Sequence, residues 1–133
     1  MIEDHYTAVK DMIRPGLTVY LWEVENVPDY PYVLFWGSLG NESTPTLTGP
    51  PRDFDLPIRA TYVGFNPLSV IGLAMDVRQD LQGRRPEVAG WSVEKLEVAA
   101  LTAISPDETV TVPNFGHPVR AVDEITVRST RIV

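Results

Sequence analysis

The chain has 133 residues, with 11 Lys and Arg against 18 Asp and Glu, a formal charge of −7. At 44% hydrophobic and 22% charged residues it has the composition of an ordinary globular protein, and its length suits one domain over residues 1–133. The acidic balance argues against a general nucleic-acid face, which needs cations to displace phosphate counterions. The absence of cysteine removes disulfides, thiolate zinc sites and cysteine nucleophiles together. No apolar run nears the ~20 residues that span a bilayer. Met1–His5 lacks the basic-then-apolar order of a signal peptide, so a soluble protein made in the cytoplasm is expected.

In chain order, Ile2, Tyr6, Val9 and Ile13 fall on one helical stripe, with Glu3 and Asp4 at the positive end and Lys10 and Arg14 at the negative end. This predicts a helix over 2–14, stopped by Pro15-Gly16. Leu17 to Glu25 reads as a strand, and Tyr32 to Trp36 as a second one, apolar on both faces. The short turn marked by Pro28, Asp29 and Pro31 suggests that the two form a hairpin. From Ser38 to Leu56, eleven of nineteen residues are Ser, Thr, Gly, Asn or Pro, and no period is visible. A long polar loop is expected there, either a plain surface loop or one ordered by a partner.

Ile58 to Phe65 resumes strand chemistry, with Ile58, Ala60 and Tyr62 on one face. Asn66-Pro67 is a cap followed by a first-turn proline, and Val70, Ile71, Ala74, Val77 and Leu81 form an apolar stripe closed by Gly83. A helix over 67–82 follows, with Asp76, Arg78, Gln79 and Asp80 on its solvated face. After a loop over 84–90, Trp91 to Leu101 changes parity midway, which calls for a bulge or a switch of covered face. Val119 to Arg131 reads as a last strand, perturbed near Asp123-Glu124 if anywhere. The fold class is therefore α+β: a central antiparallel or mixed β-sheet flanked by two α-helices, with room for one βαβ-type crossover around the second helix.

Chemistry is sparse. His5 and His117 stand in no metal-binding spacing and read as surface residues. Gly37-Ser-Leu-Gly40 lacks the following helix that would receive a phosphate, so it is a loop-entry turn. The carboxylate pairs Asp53/Asp55, Asp107/Glu108 and Asp123/Glu124 lie in or near loops, where solvation is the usual outcome. No catalytic, cofactor or metal residue is assigned. Trp22, Trp36 and Trp91, with Tyr20, Tyr30, Tyr32 and Tyr62, give the sheet more apolar surface than two short helices cover, which suggests a self-assembling subunit.

The layout resembles the tail terminator, or tail-to-head joining, proteins of long-tailed bacteriophages. The resemblance is carried by the N-terminal helix, the segment Pro31–Gly37, the polar loop after it, and above all the strand–turn–helix IRATYVGFNPLSVIGLAMDVRQDL over Ile58–Leu81 with its Val-Arg-x-x-Leu ending. It implies a hexameric ring that caps the head-proximal end of the tail tube and ends tube polymerisation. Such a ring receives the head connector, or stopper, and lets DNA pass through its lumen. The implied partners are further copies of the chain, the tail tube protein and the head–tail connector, with DNA only in transit and no membrane. The implied location is the virion, after assembly in the host bacterial cytoplasm. An acidic lumen would repel passing phosphate. By the same analogy Asn41, Glu42, Thr44, Thr46, Leu47, Arg52 and Phe54 meet a neighbouring subunit or the tube. Arg84 and Arg85 meet carboxylates across the ring contact. Two alternatives stand beside it: a head-completion or stopper protein of the neck, and a small α+β enzyme or ligand-binding domain.

Overall fold

A computed structural model describes residues 1–25, 28–43 and 53–132. Among these, the order is α1 (Ile2–Asp11), β1 (Thr18–Leu21), β2 (Tyr32–Gly37), β3 (Asn41–Ser43), β4 (Asp53–Gly64), α2 (Pro67–Leu81), β5 (Trp91–Val93), β6 (Glu97–Ala100), β7 (Ser105–Pro106) and β8 (Val119–Arg131). The fold is α+β, two helices on a mixed sheet of eight strands. Its centre is the antiparallel pair β4–β8, in register from Asp53 opposite Thr130 to Gly64 opposite Val119. On the far side of β4 lie β2 and β3, with β1 outside β2; along the far side of β8 lie β5, β6 and β7.

Alternation decides the faces. Phe54, Leu56, Ile58, Ala60 and Tyr62 of β4 point the same way as Val119, Asp123, Ile125, Val127 and Ser129 of β8, and all are buried. Val33 and Phe35 extend that face across β2. Tyr6, Val9 and Ile13 of α1, and Val70, Leu73, Val77 and Leu81 of α2, pack into the same core. Asp55, Arg59, Arg120 and Arg128 turn to the opposite, solvent-facing side, as a one-sided antiparallel sheet requires.

Several expectations change. β1 and β2 are parallel, not a hairpin: Thr18 pairs with Tyr32 and Leu21 with Phe35. Leu21 ends the first strand because Trp22 takes a left-handed φ of +71°, and the chain must then return the length of β1 before Tyr32. The expected loop over 38–56 is strand at both ends. Asn41–Ser43 pairs with Asp53–Asp55, and Asp53–Leu56 opens β4, with Phe54 and Leu56 alternating into the core. Thr44, Thr46, Leu47 and Arg52 lie outside the described residues. α1 ends at Asp11 rather than Arg14, its last turn tightened by bonds from Met12 N–H to the Val9 carbonyl and Ile13 N–H to the Lys10 carbonyl.

Other expectations hold. Asn66 caps α2, its side chain accepting the Ser69 N–H at 2.9 Å, and Gly83 follows the helix at φ +73°. The parity change after Trp91 is a bulge: 94–96 face only 127 and 128 between the β5 and β6 ladders. β4 and β5 both run antiparallel to β8 and hence parallel to each other, so β4–α2–β5 is the anticipated crossover with β8 inserted. β8 forms as one strand, but without the break considered near Asp123-Glu124.

The packing predicts a contrast between two aliphatic residues. Ile58 is 0% exposed and Leu68 is 80% exposed. Ile58→Ala should cost about 2–5 kcal/mol by chemical denaturation, whereas Leu68→Ala should stay within roughly 0.5 kcal/mol.

Candidate functional site

The two helices do not cover the whole apolar face. α2 has three working sides, set by helical spacing. Val70, Leu73, Val77 and Leu81 enter the core. One flank carries Asp76 and Asp80, which face the turn after α1. There Arg14 Nε donates to both Asp80 carboxylate oxygens at 3.2 and 3.0 Å, and its Nη2 donates to Asp80, to Gln79 and to the Asp76 carbonyl. The Arg14 hydrogen bonds hold the Asp80 carboxyl below its ordinary range. The other flank, with Ile71, Ala74, Met75 and Arg78, borders a groove of about 220 Å³ whose far wall is Ala100, Thr102 and Ile104 and whose floor includes Ala121.

Polar groups at that floor satisfy one another. Asp123, buried on the helix-facing side of β8, accepts from Arg78 Nε at 2.8 Å and Arg78 Nη2 at 2.6 Å, and from the Tyr62 hydroxyl at 2.8 Å. Burial, reinforced by the Asp123 charge, pushes the Tyr62 hydroxyl far above its ordinary range. The two polar residues expected to be solvated are therefore structural. Arg78 leaves the outer face by laying its stem along α2, and Asp123 enters the core because ladder parity points it there. With its carboxylate and guanidinium joined, the floor has little polar capacity left for a ligand. The groove is an apolar slot.

Its rim is apolar as well. Leu68, Ile71 and Met75 form an exposed stripe on α2, and Ile104 is exposed on the far wall. Ile71 was expected in the core; the buried stripe instead runs through Leu73, leaving Ile71 beside the groove. A second exposed pair, Trp22 and Leu39, sits at the opposite margin of the sheet, beyond β1 and β2. The Trp22 ring packs on Tyr6 at 4.0 Å between centroids. The loop-entry turn at Gly37 and Gly40 is required by close approach: a Cβ on Gly40, at φ +80°, would lie 2.5 Å from the Phe54 ring.

The sequence-derived contact residues divide. Asn41 and Glu42 are exposed on β3, and Arg84 and Arg85 are exposed after α2, with no ion-pair partner among the described residues. Phe54 does not belong with them. It is buried against His5 and Trp91, because its parity on β4 aims it at the core. His117 is exposed, its Nδ1 bonded to the Val110 carbonyl, whereas His5 is fully buried rather than on the surface. The groove itself was not anticipated, although Leu68, Ile71 and Met75 at three- and four-residue spacing are a readable second stripe. Among the described residues no three His, Asp or Glu side chains converge as metal ligands. No helix among them is long and apolar enough to cross a membrane.

The molecule is thus a one-sided α+β sheet with unfilled apolar surface at two margins. No protein-family model matches the chain, and no curated protein matches it.

The pair at the groove floor makes a test of its energetics. Arg78→Met leaves Asp123 buried with only the Tyr62 hydroxyl, and should cost about 2–3 kcal/mol, less than a fully buried pair because Arg78 is 43% exposed. The double variant Arg78→Met/Asp123→Leu should recover most of that loss in a urea-denaturation cycle.

Proposed function

We propose that this protein is a structural subunit that assembles head-to-tail into a closed ring, acting as a tail terminator at the end of a phage tail tube. The observation that carries the assembly part is the exposed apolar side chains Ile71, Met75 and Ile104 on the walls of a groove whose polar floor is already satisfied, with Leu68 continuing the exposed stripe along α2. Monomers rarely leave such a patch in water. The separate pair Trp22 and Leu39 at the opposite sheet margin supports a heterologous contact, in which two different surfaces meet and the rotation closes a ring.

The phage role rests on the resemblance of Ile58–Leu81 and the layout around it to tail terminators. Those residues form a strand, a capped turn and a helix, in keeping with that resemblance. The formal charge of −7 suits a lumen that repels passing DNA. In this reading β3 and the segment that follows it contact the neighbouring subunit or the tube, and the connector docks on the opposite rim. A neck stopper would share the ring chemistry but not the tube contact. The alternative of a small-ligand site is disfavoured by a floor whose polar groups bond to one another.

Light scattering with sedimentation over a concentration series should give a discrete species of about six subunits. Ile71→Asp/Met75→Asp, at exposed positions, should keep the fold and shift the mass to the monomer. Rings formed as readily by this variant would reject the groove as the contact. Replacing 44–52 by a tight Asn-Gly turn should likewise leave circular dichroism unchanged while abolishing the capping of purified tubes. Capping at wild-type level by that variant would remove the segment from the contact.

A further inference from the structure

His5 does nothing in the assembly proposal, and its surroundings are unusual for a histidine. The ring is 0% exposed, held between the first turn of α1 and the ends of β4, β8 and β5. Phe54 and Trp91 stand edge-on to it, at 5.1 and 5.2 Å between centroids. Nδ1 lies 2.7 Å from the Met1 carbonyl, which can only accept, so Nδ1 carries the hydrogen. Nε2 is then the acceptor for the Ser129 hydroxyl at 2.9 Å. The neutral ring is satisfied at both nitrogens. Ser129 is itself buried, and no carboxylate orients the ring, so the pair is not a nucleophile and base.

A second proton has no such fit. It would land on Nε2, force the Ser129 hydroxyl to turn from donor to acceptor, and place a full charge among aromatic rings. The charged groups nearby do not compensate. From α1 come the Met1 ammonium and Asp4, already joined to each other at 3.3 Å. From β8 comes another cation, Arg131, whose guanidinium lies 5.0 Å from the Trp91 ring centroid and 3.9 Å from Met1 Sδ. β4 presents the uncharged Phe54 here, its neighbour Asp53 accepting from Thr130, and β5 presents Trp91. Glu87, from the loop before β5, lies beside Asp4 on the outer side of α1. Burial accordingly holds His5 below its ordinary value, partly offset by the bond to the Met1 carbonyl.

We infer that His5 is a pH-sensitive latch: neutral, it fastens the first turns of α1 onto the ends of β4 and β8, and when charged it releases them. Release would expose Phe54 and the Tyr6 side of the Trp22 patch, so acid would change which apolar surface the protein offers. The latch does not depend on ring formation. The sign follows from linkage. Above about pH 6.5 the ring is neutral whether α1 is docked or free, and docking has its full strength. Below that value the free form binds a proton that the docked form refuses. Docking weakens by up to about tenfold per pH unit until the docked ring itself protonates.

The test is hydrogen exchange of the α1 amides in the full chain, corrected for intrinsic rates, from pH 7.5 to 5. Protection over residues 5–11, relative to β4, should fall about fivefold between pH 6.5 and 5.5 in the wild type and in His117→Gln, and stay level in His5→Gln. Equal slopes in wild type and His5→Gln, or a level wild-type profile, would overturn the latch. Should His5→Gln fail to fold, the His5 ring resonances of the wild type decide. They should remain those of a neutral Nδ1–H imidazole for as long as α1 stays protected, and change only as α1 protection is lost. A ring that gains its second proton under an undisturbed α1 excludes the latch.

Discussion

Everything in this fold hangs on one antiparallel ladder. β4 and β8 pair without interruption from Asp53 opposite Thr130 to Gly64 opposite Val119, and every other strand except β1 bonds to one of them. Because side chains alternate, that register decides which residues meet the helices. A slip of one position would turn Ile58, Ile125 and Val127 to water and bring Arg59 and Arg128 inside. The same parity carries Asp123 inward, and the structure meets its charge with Arg78 from α2. The helix is thereby located on the sheet twice, by its apolar stripe and by an ion pair.

The two helices divide the remaining work. α1 is tied at its start by His5 to Ser129, and the turn that follows it is tied by Arg14 to Asp76, Gln79 and Asp80. α2 lies between α1 and the open groove. Neither helix reaches over Ala100 and Ala121, so the small side chains there line a slot rather than a core. An unfilled margin of this kind follows from a sheet broader than two helices. It needs no special motif, only more strand than helix.

Periodicity made much of this legible. The stripe Val70, Val77 and Leu81, the Asn66 cap and the length of β8 follow from residue order alone, because local spacing and capping chemistry act within a few residues. The bulge between β5 and β6 was visible as a parity change for the same reason. What could not be read was non-local. The parallel pairing of β1 with β2 depends on where the connection returns, not on what the strands contain. β3 is three residues of polar sequence, and only the facing edge of β4 makes it a strand. His5 looked solvated beside Glu3 and Asp4, and Asp123 because it stands beside Glu124 where the sequence of the last strand allows a break, whereas their neighbours in space are Phe54, Trp91, Tyr62 and Arg78. Phe54 was placed at a contact surface for the converse reason, sitting in a polar stretch while its parity sends it to the core.

The insertion of β8 into the crossover has a consequence for the order in which the molecule can be built. β5, β6 and β7 are two to four residues long, and among the described strands each pairs with β8 alone, which follows all three in the chain. During synthesis they emerge before the strand that organises them, and α2 emerges before the carboxylate that its Arg78 will meet. A nascent chain lacking 119–131 therefore holds Ile58, Leu56 and Phe54 on a strand with one side unpaired and the helices without a floor. Closure waits on contacts between residues 55 to 77 positions apart, the arrangement that makes folding slow and leaves sheet edges open to other chains while it proceeds.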